Sequence, residues 1–306
     1  MASKVQFGLF TPQDGMNFPA MLERTRLAER AGFHSLWLVD HVFSPRLEDM
    51  DYPECLALLS ALAVHTEKIR LGTMVLCNSF RNPALLAKSL TTIDHLSNGR
   101  LEAGFGAGWA QKEYQAYGYE FPGIGTRLAQ LDESLQILRA MFTEPRASFS
   151  GRYFRIENAP NNPKPLQKPR PPITVGGSGE KVMLRIVAKY ADWWNCPAGY
   201  RDFGRKLEAL KGHCRDIGRD FDTINISEQV LIVIGKSDAE VEAKWKSAQI
   251  LKPFVYTAIK GTPPQVIEQI RERAERGVKL FVTFFSDFAP PETIDLFGRE
   301  VMPAFA

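Results

Sequence analysis

The sequence lacks the residue patterns that are typical of metal centres and of disulfide-stabilised domains. Its 306 residues include only four cysteines, none of which stands in a C-x-x-C or zinc-finger spacing. No H-x-H or H-E-x-x-H pattern and no carboxylate cluster with ligand spacing occurs, so we predict that there is no metal site. The cysteines are therefore expected to be core thiols in a reducing compartment.

A strong net charge and a long apolar run are also missing. The formal charge of +3 is too small to indicate a nucleic acid or an acidic membrane surface as partner. No stretch approaches the roughly 18 apolar residues that a membrane-spanning helix needs. The first residues, MASKVQFGLF, contain too short an apolar segment for a signal peptide. We therefore predict a cytoplasmic protein that binds neither nucleic acid nor membrane.

What the sequence does contain is a regular alternation of strand and helix patterns. A hydrophobic content of 44% is enough for a large buried core. The predicted strands are VQFGLF, SLWLVD, KIRLGTMVL, RLEAGFG, ITVGG, ADWWNCP, INISEQVLIVIG and VKLFVTFF. The predicted helices cover residues 17–31, 53–65, 83–97, 126–142, 237–250, 263–276 and 291–302. In 83–97 and 126–142, apolar residues recur at spacings of three and four, as on one face of a helix.

Residues 143–172 interrupt this alternation. The segment is rich in proline, which excludes a regular helix, and we predict a small strand pair near 147–156 followed by an extended loop over the barrel. Eight strands separated by helices predict an α/β protein of one domain over residues 1–306. The expected fold is a (β/α)8 TIM barrel in which residues 143–172 form an insertion before strand five. A doubly wound open sheet is the alternative.

In such a barrel, the functional residues lie at the C-terminal ends of the strands. Strand two ends at Asp40 and His41, and a histidine can donate a hydrogen bond or move a proton near neutral pH. The adjacent carboxylate could orient the imidazole, although neighbours on a strand point to opposite sides. The pair therefore predicts a catalytic site for a small-molecule substrate, with a satisfied structural histidine as the alternative.

Two other strand ends are rich in glycine. Gly176, Gly177 and Ser178 follow strand five in GGSGE and open a helix, which is a suitable place for a phosphate. Ala107 and Gly108 follow strand four in GFGAG, where small residues allow a flat ligand to approach the backbone. For GGSGE the alternative is a tight turn without a ligand, and for GFGAG it is close packing of a helix against the strand. Together the two ends predict a flat, phosphorylated ligand.

Longer stretches carry a resemblance to a known family. AGFHSLWLVDH, IRLGTMVL, FRNPALLAKSLTTIDHLSNGRLEAGFGAGWAQKEYQAYG and ITVGGSGEKVMLRIVAKYADWWN resemble the luciferase-like flavin and deazaflavin oxidoreductases, also called the bacterial luciferase-like monooxygenases. The segment NAPNNPKPLQKPRPPI is similar to a subfamily of F420-dependent oxidoreductases. The resemblance implies a (β/α)8 barrel with an insertion and a homodimer. It also implies that a separate flavin or F420 reductase supplies the reduced cofactor.

The resemblance also implies where the cofactor binds. A reduced deazaflavin, coenzyme F420, or alternatively FMN is expected in the barrel mouth. A non-proline cis peptide at Met74-Val75 would support its ring, and Asp40 and His41 would contact the polar edge of that ring. The glycines at 176 and 177, with Ser178, would bind the phosphate side.

One position departs from the family pattern. Where the sugar-phosphate dehydrogenases of the family carry a proton-donating glutamate, this sequence has Trp109, so that activity is not predicted. Trp109 is expected to wall the pocket or to stack on substrate, and a core tryptophan packed against the next helix is the alternative. The roles of Lys112 and Glu113 stay open.

The predicted activity is hydride transfer between reduced F420 and a small organic substrate. An FMN-dependent two-component monooxygenase is the first alternative, because it shares the fold. A non-catalytic flavin-binding relative is the second.

Overall fold

The computed structural model describes residues 5–45, 47–197, 202–251 and 254–306. The strands are β1 (Gln6–Phe10), β2 (Ser35–Leu38), β3 (Arg70–Thr73), β4 (Leu76–Cys77), β5 (Leu101–Gly106), β6 (Arg146–Ser150), β7 (Arg155–Pro160), β8 (Ile173–Gly176), β9 (Trp193–Pro197), β10 (Asn225–Ile234), β11 (Ile259–Gly261) and β12 (Val278–Phe285). The helices are α1 (Phe18–Ala31), α2 (Cys55–His65), α3 (Pro83–Leu96), α4 (Gln111–Ala116), α5 (Ile124–Thr143), α6 (Met183–Tyr190), α7 (Phe203–Asp216), α8 (Asp238–Ala248), α9 (Pro263–Glu275) and α10 (Pro291–Glu300).

Eight parallel strands close into a barrel. The neighbours around the ring are β1, β2, β3, β5, β8, β9, β10 and β12, and β12 pairs again with β1. Helices lie on the outside of this ring, which confirms the (β/α)8 TIM barrel and makes the open sheet wrong. The short strands β4 and β11 add to β5 and β10 as further parallel neighbours.

Local signals account for several helix boundaries. The Asn17 side chain accepts a hydrogen bond from the Ala20 amide at the start of α1, and Gly32 ends that helix in the left-handed conformation. Asn82 caps α3 in the same way, and Pro83 occupies its first turn. The sequence prediction starts α2 two residues too early, at Pro53, because Glu54 caps that helix and its first residue is Cys55. Helices α4 and α7 and strand β11 are missing from the sequence prediction.

The segment between α5 and β8 contains an antiparallel hairpin, β6–β7, that extends to Pro160. The Glu133 carboxylate of α5 accepts hydrogen bonds from the amides of Arg152, Tyr153 and Phe154 at the tip of this hairpin. After the hairpin, the proline-rich segment is held by the buried Asp94 of α3, which accepts from the amides of residues 166 and 167. Two side-chain carboxylates therefore attach the segment to the barrel helices.

The barrel interior is apolar toward its carboxyl ends and charged toward its amino ends. Phe10, Leu231, Val282 and Phe284 belong to a buried cluster inside the ring. Arg70 and Glu102 form an ion pair nearer the amino ends of their strands. In the part of the chain that the structure describes, no helix is long and apolar enough to span a membrane.

Candidate functional site

A cavity of about 330 Å³ opens at the C-terminal ends of the barrel strands. Most of the residues predicted from the sequence to form the site line it: Asp40, His41, Met74, Val75, Ala107, Gly108, Trp109, Gly176 and Gly177. Glu113, Tyr114, Asn195 and Gln229 contribute polar groups to the same wall. The topology therefore brings together strand ends that are up to about 190 residues apart in the sequence.

Asp40 and His41 face different partners. The Asp40 carboxylate is buried and binds the Arg81 guanidinium through both oxygens, at 2.7 and 2.8 Å, and the Cys77 amide at 2.8 Å. Burial raises the pKa of the Asp40 carboxyl, and Arg81 opposes that rise. Asp40 therefore does not orient the imidazole. It fixes the backbone at the end of β4, and Arg81, which the sequence reasoning missed, holds it there.

The carboxylate that holds His41 is Glu113. The His41 Nδ1 and Glu113 Oε1 atoms are 2.6 Å apart, and the two side chains are 15% and 3% exposed. Glu113 lies on α4, a helix that the sequence prediction omits. Lys112, the other residue whose role was open, points to the surface and pairs with Glu48. The structure thus brings Glu113 into the site and leaves Lys112 outside it.

Trp109 is exposed over 69% of its surface, so its interpretation as a core tryptophan is wrong. Its ring stands edge-to-face against the His41 imidazole, with centroids 5.5 Å apart and planes at 86°. The residue forms the outer wall of the cavity beside His41. Such an aromatic wall can contact a ligand and shield the imidazole from water.

The peptide bond between Met74 and Val75 is cis, as the resemblance implied. The bond lies between β3 and β4, and both residues line the cavity. A Cβ atom on Gly106 would lie 2.6 Å from Val75 Cγ2, and one on Gly176 would lie 2.9 Å from Val75 Cγ1. The two glycines thus make room for the Val75 side chain, which forms an apolar floor between them.

Gly108 has a φ of +72°, and a Cβ atom there would overlap the Tyr114 hydroxyl and lie 2.7 Å from Cys77 Sγ. Close packing is therefore a sufficient reason for glycine at this position. The Tyr114 hydroxyl and Cys77 Sγ are 3.1 Å apart. Burial raises the pKa of the Cys77 thiol to about 11, so the sulfur is a neutral thiol near pH 7 and a poor nucleophile.

The glycine-rich end of β8 is a turn that does not run directly into a helix, because α6 begins only at Met183. A Cβ atom on Gly177 would meet the Met183 side chain at 2.9 Å. Ser178 is half-buried beyond the cavity lining, and its carbonyl accepts from Lys206 Nζ at 3.3 Å. The turn thus places backbone groups and a cation on the same side of the mouth, which is compatible with an anionic group.

Two side-chain amides that line the cavity on β9 and β10, across the barrel from His41, were not predicted as site residues from the sequence. Asn195 of β9 is 1% exposed and Gln229 of β10 is 6% exposed, and both line the cavity. Asn195 Nδ2 donates to Ser227 Oγ at 3.2 Å. The polar residues Ser-Glu-Gln at 227–229, directly before the apolar run VLIVI of the same strand, were the available signal for Gln229.

The lining fits a flat organic cofactor better than a metal ion. An apolar floor at Val75, an aromatic wall at Trp109 and the amides of Asn195 and Gln229 provide surfaces for a ring and donors and acceptors for its edges. Within the described ranges, no group of three histidine, cysteine or carboxylate side chains is arranged to hold a metal ion. All four cysteines are buried, and none forms a disulfide within the described chain.

Comparison with known proteins gives a family match over most of the chain. A family model described as luciferase-like monooxygenase matches residues 4–258. An F420-dependent glucose-6-phosphate dehydrogenase of Amycolatopsis mediterranei is 35% identical over 200 residues, which are 65% of this chain and 56% of that enzyme. An FMNH2-dependent dimethylsulfone monooxygenase of Pseudomonas putida is 28% identical over 91% of this chain and 85% of its own length.

A solved structure shows the same fold over nearly the whole length. An F420-dependent secondary alcohol dehydrogenase, determined with an F420-acetone adduct, superimposes with a TM-score of 0.85. The match covers 99% of both chains at 22% sequence identity. At this identity the likeness concerns the fold alone.

Proposed function

Because the chain belongs to the luciferase-like monooxygenase family, we propose that it is an oxidoreductase that transfers a hydride between reduced coenzyme F420 and a small organic substrate. The observation that carries this proposal is His41, which Glu113 holds at 2.6 Å on the wall of a cavity floored by Val75. The 35% identity to an F420-dependent enzyme supports the choice of the deazaflavin.

The residues present would hold such a cofactor in a simple way. Met74 and Val75 would support one face of the ring, and Asp40 and His41 would lie at its polar edge. Ala107 and Gly108 would border it, and Gly176, Gly177 and Ser178 would bind the phosphate side. When bound, the reduced deazaflavin supplies the hydride chemistry, while the protein supplies orientation and electrostatics.

His41 is the residue that would move a proton. Its side chain is only 15% exposed, lies on the cavity wall and is fixed on one nitrogen by Glu113. A hydroxyl or carbonyl oxygen of the substrate beside the other nitrogen could give up or accept a proton there. Trp109 would limit the access of water to this nitrogen, whereas Asp40, which binds Arg81 and the Cys77 amide, would act on the shape of the site.

The substrate that we propose is a small organic molecule other than glucose 6-phosphate. Trp109 occupies the position at which the resembling sugar-phosphate dehydrogenases carry a glutamate. A bulky aromatic ring, 69% exposed at the mouth, also leaves less room for a phosphorylated sugar. Assays of the reduced or oxidised cofactor with glucose 6-phosphate and with neutral alcohols and ketones test this choice.

An FMN-dependent two-component monooxygenase is the second candidate function. The relative from Pseudomonas putida aligns over 91% of this chain, which favours this candidate more than a partial match would. In that case a separate reductase would supply the reduced flavin. A non-catalytic relative that binds flavin is the third candidate.

Titration of the protein with oxidised F420 and, separately, with FMN tests these candidates through fluorescence quenching. Micromolar or tighter binding of F420 with weak binding of FMN is the expected result. Preference for FMN would move the function to the monooxygenase. Binding of either cofactor without turnover over a substrate panel would favour the non-catalytic relative, and binding of neither would contradict both enzyme candidates.

Further properties are part of the same proposal. We infer one domain over residues 1–306, with residues 143–172 as its insertion, and a homodimer. The exposed apolar side chains of Val64 on α2 and Leu85 on α3, which are 57% and 65% exposed, support an interface on these neighbouring helices. Light scattering after size-exclusion chromatography would give the mass of the particle.

A cytoplasmic location is proposed from the buried, unbridged cysteines.

A further inference from the structure

The surroundings of His41 determine more than its position. The imidazole is bounded by two residues from one short segment, Trp109 before α4 and Glu113 within it. Trp109 precedes the helix and Glu113 lies in its first turn, and both side chains contact the imidazole. Gly108, which precedes Trp109, takes a left-handed conformation that lets Tyr114 pack beneath the turn. The segment is thus folded around the histidine.

Glu113 is an unusual residue to bury at this position. It is 2% exposed, and His41 is the hydrogen-bond partner of its carboxylate in the described part of the chain. Burial of a carboxylate is unfavourable unless a hydrogen bond or an opposite charge compensates for it. Arg81, a cation of the same site, is engaged by Asp40 and Glu54. The compensation that Glu113 receives therefore comes through the imidazole.

The chemistry of this pair specifies which ring nitrogen carries the proton. An ionised carboxylate can only accept hydrogen bonds, so a neutral imidazole beside it must carry its proton on Nδ1. The other nitrogen, Nε2, then has a free lone pair and is the one available to a ligand in the cavity. If the ring takes up a second proton on Nε2, the carboxylate balances the charge.

We propose that Glu113 is a positioning residue that fixes His41 in the Nδ1-protonated tautomer, so that Nε2 meets the substrate as a proton acceptor. The reaction that His41 serves rests on the proposed function, whereas the tautomer and its dependence on Glu113 do not. Glu113 itself touches neither substrate nor cofactor in this proposal. It acts through His41.

The variant Glu113→Gln tests the proposal with two readouts. The first is the ¹⁵N spectrum of the histidine rings at pH 9, in which His41→Asn identifies the His41 signals among the five histidines. The wild type is expected to show a protonated Nδ1 and an unprotonated Nε2. Glu113→Gln is expected to shift His41 toward the Nε2-protonated tautomer, because the amide can donate to Nδ1. Glu48→Gln, which removes an exposed carboxylate near the mouth, is the matched control and is expected to leave the spectrum unchanged.

The second readout is the rate of hydride transfer between the bound cofactor and the substrate, measured in a single turnover. We expect Glu113→Gln to lower the rate at least tenfold with cofactor Kd within about threefold, and to have little further effect in a His41→Asn background. Glu113→Asp keeps the charge and is expected to recover the tautomer and part of the rate. If Glu113→Gln fails to fold, the ¹⁵N spectrum of the wild type still tests the proposal, because an Nε2-protonated His41 would contradict it.

An Nε2-protonated tautomer in the wild type, or a tautomer unchanged by Glu113→Gln, would overturn the positioning role. An additive loss of rate in the double variant would also contradict it. If the tautomer depends on Glu113 but neither F420 nor FMN binds, the proposed function fails while the positioning role stands.

Discussion

At the scale of single residues, neighbours in the sequence have separate tasks. Asp40 and His41 stand side by side at the end of β2, yet Asp40 binds Arg81 and Cys77 while His41 binds Glu113. Side chains of consecutive residues near a strand end point to opposite sides, which explains the separation. Asp40 therefore affects the shape of the site, whereas His41 affects its chemistry.

Replacement of His41 by asparagine tests that division. We expect His41→Asn to lower the rate of substrate turnover at least about a hundredfold, since positioned proton transfer contributes about 10²–10⁴. Cofactor Kd is expected to stay within about threefold, as measured by fluorescence titration. His65→Asn is the control, because His65 is exposed at the end of α2. A His41→Asn enzyme with wild-type turnover would remove His41 from the chemistry.

Gly108 and Gly118 allow a second comparison at the same scale. Both are left-handed, with φ of +72° and +73°, but a Cβ atom on Gly108 would overlap Tyr114, whereas nothing lies within 4 Å at Gly118. Alanine at either position adds about 1 kcal/mol of backbone strain. We expect Gly108→Ala to lower the free energy of unfolding by at least about 2 kcal/mol more than Gly118→Ala, because Tyr114 must move.

Urea denaturation of the two variants measures this difference, and cofactor titration follows the site. Gly108→Ala is expected to weaken cofactor binding as well, since Trp109 and Glu113 flank the turn. Equal stability of the two variants would show that the turn adapts to a side chain.

At the scale of elements, the attachment of the insertion depends on carboxylates. The hairpin β6–β7 lies outside the barrel sheet, and the Glu133 carboxylate accepts from the three amides at its tip, at 2.7 to 3.0 Å. The sequence predicts a strand pair here but gives no sign of which helix holds it. A tertiary contact decides which helix holds the hairpin, because the accepting carboxylate of Glu133 lies some 20 residues before the tip.

Glu133→Ala is expected to release the tip of the hairpin without damage to the site. Hydrogen exchange at the amides of residues 152–154 should become about tenfold faster or more, since their shared acceptor is lost. Turnover and cofactor Kd should stay within about twofold. Glu157→Ala is the control, because Glu157 is exposed on β7 and its carboxylate lies 3.8 Å from the Arg155 guanidinium. Unchanged protection in Glu133→Ala would mean that strand pairing alone holds the tip.

At the scale of the whole molecule, the two ends of the barrel have different functions. The mouth carries the cavity, and the amino end carries groups that affect stability. His34 lies at that end beside Arg70, and burial, together with this cation, lowers its pKa to about 4. The unfolded chain, with an ordinary histidine pKa of about 6.5, binds more protons between these values. Stability is therefore complete above about pH 6.5 and falls as the pH is lowered toward 4.

His34→Gln should remove this part of the acid sensitivity. Between pH 7 and pH 5, we expect the wild type to lose about 1–2 kcal/mol more unfolding free energy than His34→Gln. Urea denaturation at the two pH values measures the difference, with His65→Gln as the exposed control. Since His34 is remote from the mouth, turnover at pH 7 should not change. An equal pH dependence in wild type and His34→Gln would show that other groups carry the acid sensitivity.

The sequence by itself determined the order of strands and helices, the barrel and most of the residues around its mouth. Periodic apolar residues and glycines at strand ends are local features, so a single stretch of chain suffices to identify them. Asp40, His41, Ala107 and Gly108 were found in this way because strand ends in a barrel share one face, whereas Val75 was expected from the family resemblance. Gln229 lies within β10 and not at its end, and its polarity in a buried strand was overlooked.

Only the tertiary structure decided which side chains act together. Glu113 reaches His41, Arg81 reaches Asp40 and Val75 fits between Gly106 and Gly176, across separations of about 30 to 100 residues. Such pairings depend on the register of neighbouring strands and on short turns such as the one at Gly108. Local sequence patterns do not contain that information, because hydrogen-bond partners are set by distances that exist only after the barrel has closed.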